Sequence, residues 1–173
     1  MIITLLGYMG SGKSTIGRQL AEVLKYEFID LDAYIEEKEK CVISEIFNKK
    51  GEIYFRKQEN MYLKEVLENN SDIILSLGGG TPCYANNMQL LTTTKGALSF
   101  YLKLSPPILV ERLFDEKSER PLISHINTKE ALQEFIAIHL FERQPFYELA
   151  MHTLKIDNLS IKAVVEQVVN DLY

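Results

Sequence analysis

Gly7-Tyr8-Met9-Gly10-Ser11-Gly12-Lys13-Ser14 fits the spacing G-x-x-x-x-G-K-[ST], and this stretch constrains the fold more than any other. The run before it, Ile2-Ile3-Thr4-Leu5-Leu6, is short, apolar and β-branched, as a buried strand requires. The run after it carries Ile16, Leu20, Val23 and Leu24 at helical spacing. Strand, glycine loop and helix thus follow in the order a phosphate-binding loop needs. The glycines let successive backbone N–H groups turn inward, and the helix N-terminus adds its positive end. Lys13 is placed to meet the outer phosphates, and the Ser14 hydroxyl to ligate a divalent cation. Gly10, Ser11, Gly12, Lys13, Ser14 and Thr15 are therefore the candidate contacts of a nucleoside triphosphate and its Mg²⁺.

At 173 residues the chain has room for one well-filled core, and a single domain over 1–173 is expected. A net charge of -5 argues against nucleic acid and against an anionic membrane as partners, so any anionic ligand needs a local basic cluster. No apolar run approaches the ~18 residues of a membrane span, and no basic leader precedes the first strand. Cys41 and Cys83 are far apart, outside any C-x-x-C, and fit free thiols of a reducing cytoplasm. His125, His139 and His152 lack metal-ligand spacing. No long exposed apolar stripe is evident, so a monomer is expected.

Of the 19 cationic side chains only Arg18, Arg56, Arg112, Arg120 and Arg143 are arginines. A chain that uses lysine on its solvated faces has arginine where a planar, two-pronged donor is needed. Residues 26–32 form a short strand ending in Asp30-Leu31-Asp32, where alternation puts both carboxylates on one side, facing the ligand crevice of an open α/β sheet. One of the two is then a candidate for the metal and the other for a substrate hydroxyl; the alternative is that Asp32 caps a helix starting at Ala33. A helix begins near Ile43, and Gly51 to Leu67 forms a long amphipathic one. On it Glu59 sits three residues from Arg56 and holds its guanidinium, or is an ordinary surface pair.

Residues 73–77 make a central strand that ends in Gly78-Gly79-Gly80, three flexible residues best explained by close approach of a ligand or backbone. A helix over 88–94, a strand over 97–104 and a helix opened by Pro106-Pro107 follow. The polar stretch Asp115 to Pro121 lacks periodicity and is either a lid carrying Arg120 or a solvated loop. A long helix from Thr128 runs through Phe135, Ile138, Leu140 and Phe141 to Arg143, then come a strand over 153–157 and a helix over 161–172. Five strands interleaved with helices predict a three-layer α/β domain with a parallel sheet.

Taken together, the phosphate loop, Asp30-Leu31-Asp32, the Gly51 to Arg56 run, Gly78-Gly79-Gly80, Arg120-Pro121-Leu122 and Arg143 before Pro145-Phe146-Tyr147 resemble the shikimate kinases over nearly the whole chain. The resemblance implies a P-loop kinase fold of the nucleoside monophosphate kinase type. Its sheet has five parallel strands in the order 2-3-1-4-5, with helices on both faces and a short lid. The lid falls near residues 113–125 and the substrate-binding helices near 32–62. It implies ATP-dependent phosphorylation of shikimate at its 3-hydroxyl, giving shikimate 3-phosphate and ADP on the route to chorismate and the aromatic amino acids. By resemblance Asp32 engages the accepting hydroxyl, Arg56 and Arg143 the carboxylate, and Gly78, Gly79 and Gly80 the acid through backbone groups. Lys13 and Arg120 meet the moving phosphoryl group, Ser14 holds Mg²⁺ directly and Asp30 through water, and Arg112 lies against the adenine.

Two positions depart from the family pattern. Leu31 stands where a small residue is usual, and Lys40 where glycine is usual, so Lys40 takes a positive φ or the turn is built otherwise. Rival readings are another small-molecule kinase of the same fold, acting on gluconate or a nucleoside monophosphate, and a GTPase switch. A monophosphate kinase calls for more arginine at the acceptor site. A GTPase calls for [NT]-K-x-D, which Leu154-Lys155-Ile156-Asp157 only approaches.

Overall fold

The computed structural model describes residues 1–172; Tyr173, the last residue of the expected domain, lies outside the described residues. Strand β1 (Ile2–Leu6) is buried along its whole length, so both faces of the sheet at its centre are covered. It pairs in parallel with β3 (Ile73–Ser76) on one side and β4 (Ala97–Lys103) on the other. β2 (Glu27–Asp30) lies outside β3 and β5 (His152–Lys155) outside β4, giving the sheet order β2-β3-β1-β4-β5. This is the order implied by the resemblance.

Register fixes the site. Ser76 is level with Leu5 of β1 and with Asp30 of β2, so three strands end together. The loops that follow them meet at one edge of the sheet, where ligands bind in open α/β folds.

Helix α1 (Lys13–Leu24) starts directly from the glycine loop and packs against α7 (Ile161–Asn170) and β3. Its Ile16 and Leu20 are buried, while Val23, expected on the apolar face, is exposed. α2 (Leu31–Glu39) packs on α3 (Ile43–Asn69), which is two helical pieces joined at Gly51, whose φ of 83° and ψ of 167° are not helical. α4 (Asn87–Thr93) covers β4, and α5 (Pro106–Asp115) packs on α6 (Lys129–Tyr147). The N-caps behave as the sequence predicts at α6, where the Thr128 side chain accepts from the Ala131 N–H. Ile138 and Phe141, expected on the apolar face of this helix, are 54% and 85% exposed. Among the described residues no helix is long and apolar enough to cross a membrane.

The main sequence-level error is at the paired aspartates. The strand stops at Asp30 and a helix starts at Leu31, so Asp32 belongs to a first helical turn rather than to a strand face. The capping residue is Asp30, whose side chain accepts from the N–H groups of Asp32 and Ala33. Leu31 is fully buried, so the bulky residue at this departure from the family pattern faces the core and not the site. Lys40 does adopt the left-handed conformation, with φ 53° and ψ 34°, as the C-cap of α2.

Candidate active site

Two clefts open at the edge where β1, β2 and β3 end. The larger, of about 590 Å³, is lined by Gly10 to Thr15 of the glycine loop, by Asp30, Asp32, Gly78 and Gly79, and by Arg112 and Arg120. Ile156, Leu159, Ile161 and Val164 form its apolar end beside Arg112. The smaller, of about 330 Å³, is lined by Phe47, Phe55, Arg56, Glu59, Gly80, Leu122 and Arg143. Met9, Asp32, Gly78, Gly79 and Arg120 line both, so the clefts meet across a thin partition.

The loop itself is shaped as its glycines allow. Gly7, Gly10 and Gly12 have φ of 147°, 78° and 90°, values that L-residues rarely adopt. Lys13 is 9% exposed and donates to the carbonyl oxygens of Gly7 (2.9 Å) and Tyr8 (3.0 Å). Burial pulls its pKa down to about 8, against the pull of Asp32 and Asp30. Behind it the Ser14 hydroxyl donates to Asp30 Oδ2 at 2.9 Å, which brings together two hard oxygen donors of the kind a magnesium ion takes. Ser11 lines the same cleft, and its buried Oγ, packed towards Gly7, has no hydrogen-bond partner among the described residues. The loop therefore fits a nucleotide with its metal.

Asp32 stands on the partition. Burial, with Asp30 and Glu59 adding negative charge, pushes its pKa up to about 6, opposed by Lys13. At Gly78 and Gly80 opposite, it is space rather than φ that favours glycine. A Cβ on Gly78 would lie 2.7 Å from Asp32 Oδ1, and one on Gly80 2.8 Å from Arg56 Nη2. The three-glycine run is thus a surface on which charged side chains rest.

Arg56 is held tightly. Its Nη1 donates to Glu59 Oε2 at 2.9 Å, and Glu59 is only 1% exposed, so of the two readings the one in which Glu59 holds the guanidinium applies and the ordinary surface pair does not. Arg143 reaches the same cleft from α6, with its guanidinium 5.8 Å from the centre of the Tyr8 ring. Tyr147, one helical turn on, donates to the Gly79 carbonyl at 2.5 Å and fixes the loop against α6. Arg120 lines both clefts while its Nη2 donates to Glu116 at 2.6 Å.

A family model described as shikimate kinase matches residues 9–173. The shikimate kinase of Flavobacterium johnsoniae is 46% identical over 170 residues, covering 98% of each chain. The chain belongs to the shikimate kinase family. A crystal structure of the shikimate kinase of Bacteroides thetaiotaomicron superposes with a TM-score of 0.90 at 35% identity, over 99% of this chain and 98% of that one. Another, the shikimate kinase of Acinetobacter baumannii in complex with shikimate, gives 0.84 at 32% identity, over 99% and 92%.

All candidate residues of this shikimate kinase family member fall on the two clefts, and none lies elsewhere. Gly10 to Thr15, Asp30 and Arg112 are on the larger; Arg56, Gly80 and Arg143 are on the smaller; Asp32, Gly78, Gly79 and Arg120 are on both. Sequence reasoning missed several neighbours. Phe47 and Phe55 carry no polar chemistry and are indistinguishable from core residues until Gly51 is seen to fold them together. Thr81, Tyr84 and Asn87 follow the glycines in a stretch without a motif. Tyr8 and Tyr147 stand inside the quoted runs without a role of their own, and that placement was the available signal.

Proposed function

We propose that the chain phosphorylates shikimate at its 3-hydroxyl with ATP, giving shikimate 3-phosphate and ADP, and that the two clefts divide the work. The larger receives ATP, the smaller the acid. The observation that supports this reading is the shared partition: Asp32 and Arg120 border both clefts, so a donor phosphate and an acceptor hydroxyl meet there without crossing solvent.

In this reading the backbone N–H groups from Gly10 to Ser14 bind the phosphates, and Arg112 faces the apolar end of the cleft across the adenine. Arg56 and Arg143 grip the carboxylate with paired guanidinium forks, and Gly78 to Gly80 leave room for the ring. Asp32 accepts a hydrogen bond from the 3-hydroxyl and aims its oxygen at the terminal phosphorus; the hydroxyl proton leaves to Asp32 as the new P–O bond forms and the bond to the ADP oxygen breaks. Lys13 and Arg120 offset the charge that spreads over the moving phosphoryl oxygens. Ser14, with Asp30 behind it, would hold Mg²⁺, which when bound neutralises charge on the phosphate oxygens. Residues 113–125 act as a lid and residues 32–62 as the acid-binding helices, in a single domain working as a monomer in the cytoplasm.

ADP release measured with ATP and a panel of shikimate, gluconate and nucleoside monophosphates tests the assignment. Turnover with shikimate alone is expected; comparable turnover with gluconate or a monophosphate would transfer the site to that acceptor.

A further inference from the structure

Arg56 is pinned from a segment that carries no recognised motif. The guanidinium carbon lies 3.8 Å from the centre of the Tyr84 ring, against 5.1 Å for Phe55 and 6.0 Å for Phe47. At that distance the cation rests on the ring face, where the π-system attracts it. On its other flank Glu59 takes Arg56 with Oε2 and the Thr81 hydroxyl with Oε1, at 2.7 Å. Glu59 and Thr81 are 1% and 0% exposed, and a carboxylate that deep needs both oxygens met.

The segment is itself tied to the helix that carries Arg56. Asn87 is buried and donates to the Thr81 carbonyl at 2.7 Å. Asn60, next to Glu59 on α3, donates to Asn87 at 2.7 Å and to Asn86 at 2.9 Å. Between these ties Ala85, in the left-handed conformation with φ 49°, turns the chain directly after Tyr84. The circuit leaves helix α3, crosses to the loop after the glycines and returns to α3.

We propose that Tyr84 is a positioning residue for the acid substrate, setting the plane of the Arg56 guanidinium, with Thr81 setting its edge through Glu59. This rests on Arg56 gripping the substrate carboxylate. A guanidinium free to swing offers its two N–H bonds in many orientations; one laid on a ring and held at one edge offers them in one. The aromatic face matters and the phenol does not, since the Tyr84 hydroxyl makes no hydrogen bond among the described residues.

Steady-state kinetics on variants of the whole chain test this, with Arg56→Lys as reference. Tyr84→Leu is expected to raise the KM for shikimate about tenfold, the loss of one well-placed cation–π contact, with kcat and the KM for ATP within about twofold. Tyr84→Phe is expected to match the parent. Thr81→Val is expected to raise the shikimate KM about threefold or more, and Thr81→Ser to restore it. If Tyr84→Leu folds poorly in a thermal melt, Tyr84→Met replaces it. An unchanged shikimate KM in the Leu or Met variant, beside a raised one in Arg56→Lys, overturns the proposal and leaves the carboxylate grip standing. Equal increases in the KM for ATP and for shikimate, or failure of Tyr84→Phe to match the parent, also overturn it. An unchanged KM in Arg56→Lys itself removes the grip, and this inference with it.

Discussion

Asp30 and Asp32 are two residues apart and have opposite environments. Both oxygens of Asp30 are engaged, one capping α2 and one accepting from Ser14. The Asp32 side chain accepts no hydrogen bond among the described residues and borders both clefts. Its replacement by Asn keeps the shape and removes the charge. Asp32→Asn is expected to lower kcat by about two decades or more with the KM for ATP near normal, which an ADP-release assay reads directly. A linked effect on stability follows from its pKa, raised to about 6 by burial and by Asp30 and Glu59. A carboxyl that binds its proton more tightly when folded stabilises the fold fully below its ordinary pKa near 3.8, and that contribution is lost as pH rises through about 6. In magnesium-free buffer, urea unfolding is expected to show at most about 3 kcal/mol of such loss between pH 4 and 7, and Asp32→Asn to flatten it.

At the scale of single elements, Gly51 does more than the sequence reveals. Phe47 and Phe55 are eight residues apart, about 12 Å along a straight helix. The break at Gly51 brings their rings to 4.7 Å and builds the apolar wall of the smaller cleft beside Arg56. A Cβ at Gly51 has open space but a forbidding φ of 83°. Gly51→Ala is therefore expected to cost about 1–2 kcal/mol by denaturant unfolding and to raise the shikimate KM more than the KM for ATP. At the end of α2 the reverse change helps. Lys40 holds the left-handed φ of 53° that glycine takes freely, so Lys40→Gly is expected to add about 1 kcal/mol, read as a rise in melting temperature.

The glycine loop, the strand order and the clustering of the motif residues are legible because each depends on local periodicity, on spacing or on the family pattern. The Asp30 cap and the start of α2 are not, because Asp-Leu-Asp satisfies a strand end and a helix start equally well until neighbours decide. The Glu59–Thr81–Asn87 ties are invisible for a different reason: they join residues 22 and 6 positions apart whose polar side chains suit a surface as well as a core.

For the whole molecule, the parallel sheet brings the loops after β1, β2 and β3 to a common edge, and the turn after β5 closes the far end of the larger cleft. Arg112, Glu116 and Arg120 reach the larger cleft from α5 and the turn that follows it. That turn is anchored at its far side: Ile123 is fully buried, and Lys117 donates to the Ile126 carbonyl at 3.0 Å. Movement of Arg120 is therefore expected to be confined to the chain between α5 and Ile123. Hydrogen exchange is expected to slow in residues 116–122 by about tenfold or more when ADP and shikimate are added together, with little change at 123–126.

The partition between the clefts is made of two glycines, one methionine, one carboxylate and one arginine. So thin a divide means that a ligand joining an adenosine polyphosphate to a ring acid through a short linker meets both halves of the site already in place. Binding one end raises the local concentration of the other to the millimolar range, so the affinity of the tethered pair exceeds that of either fragment by orders of magnitude.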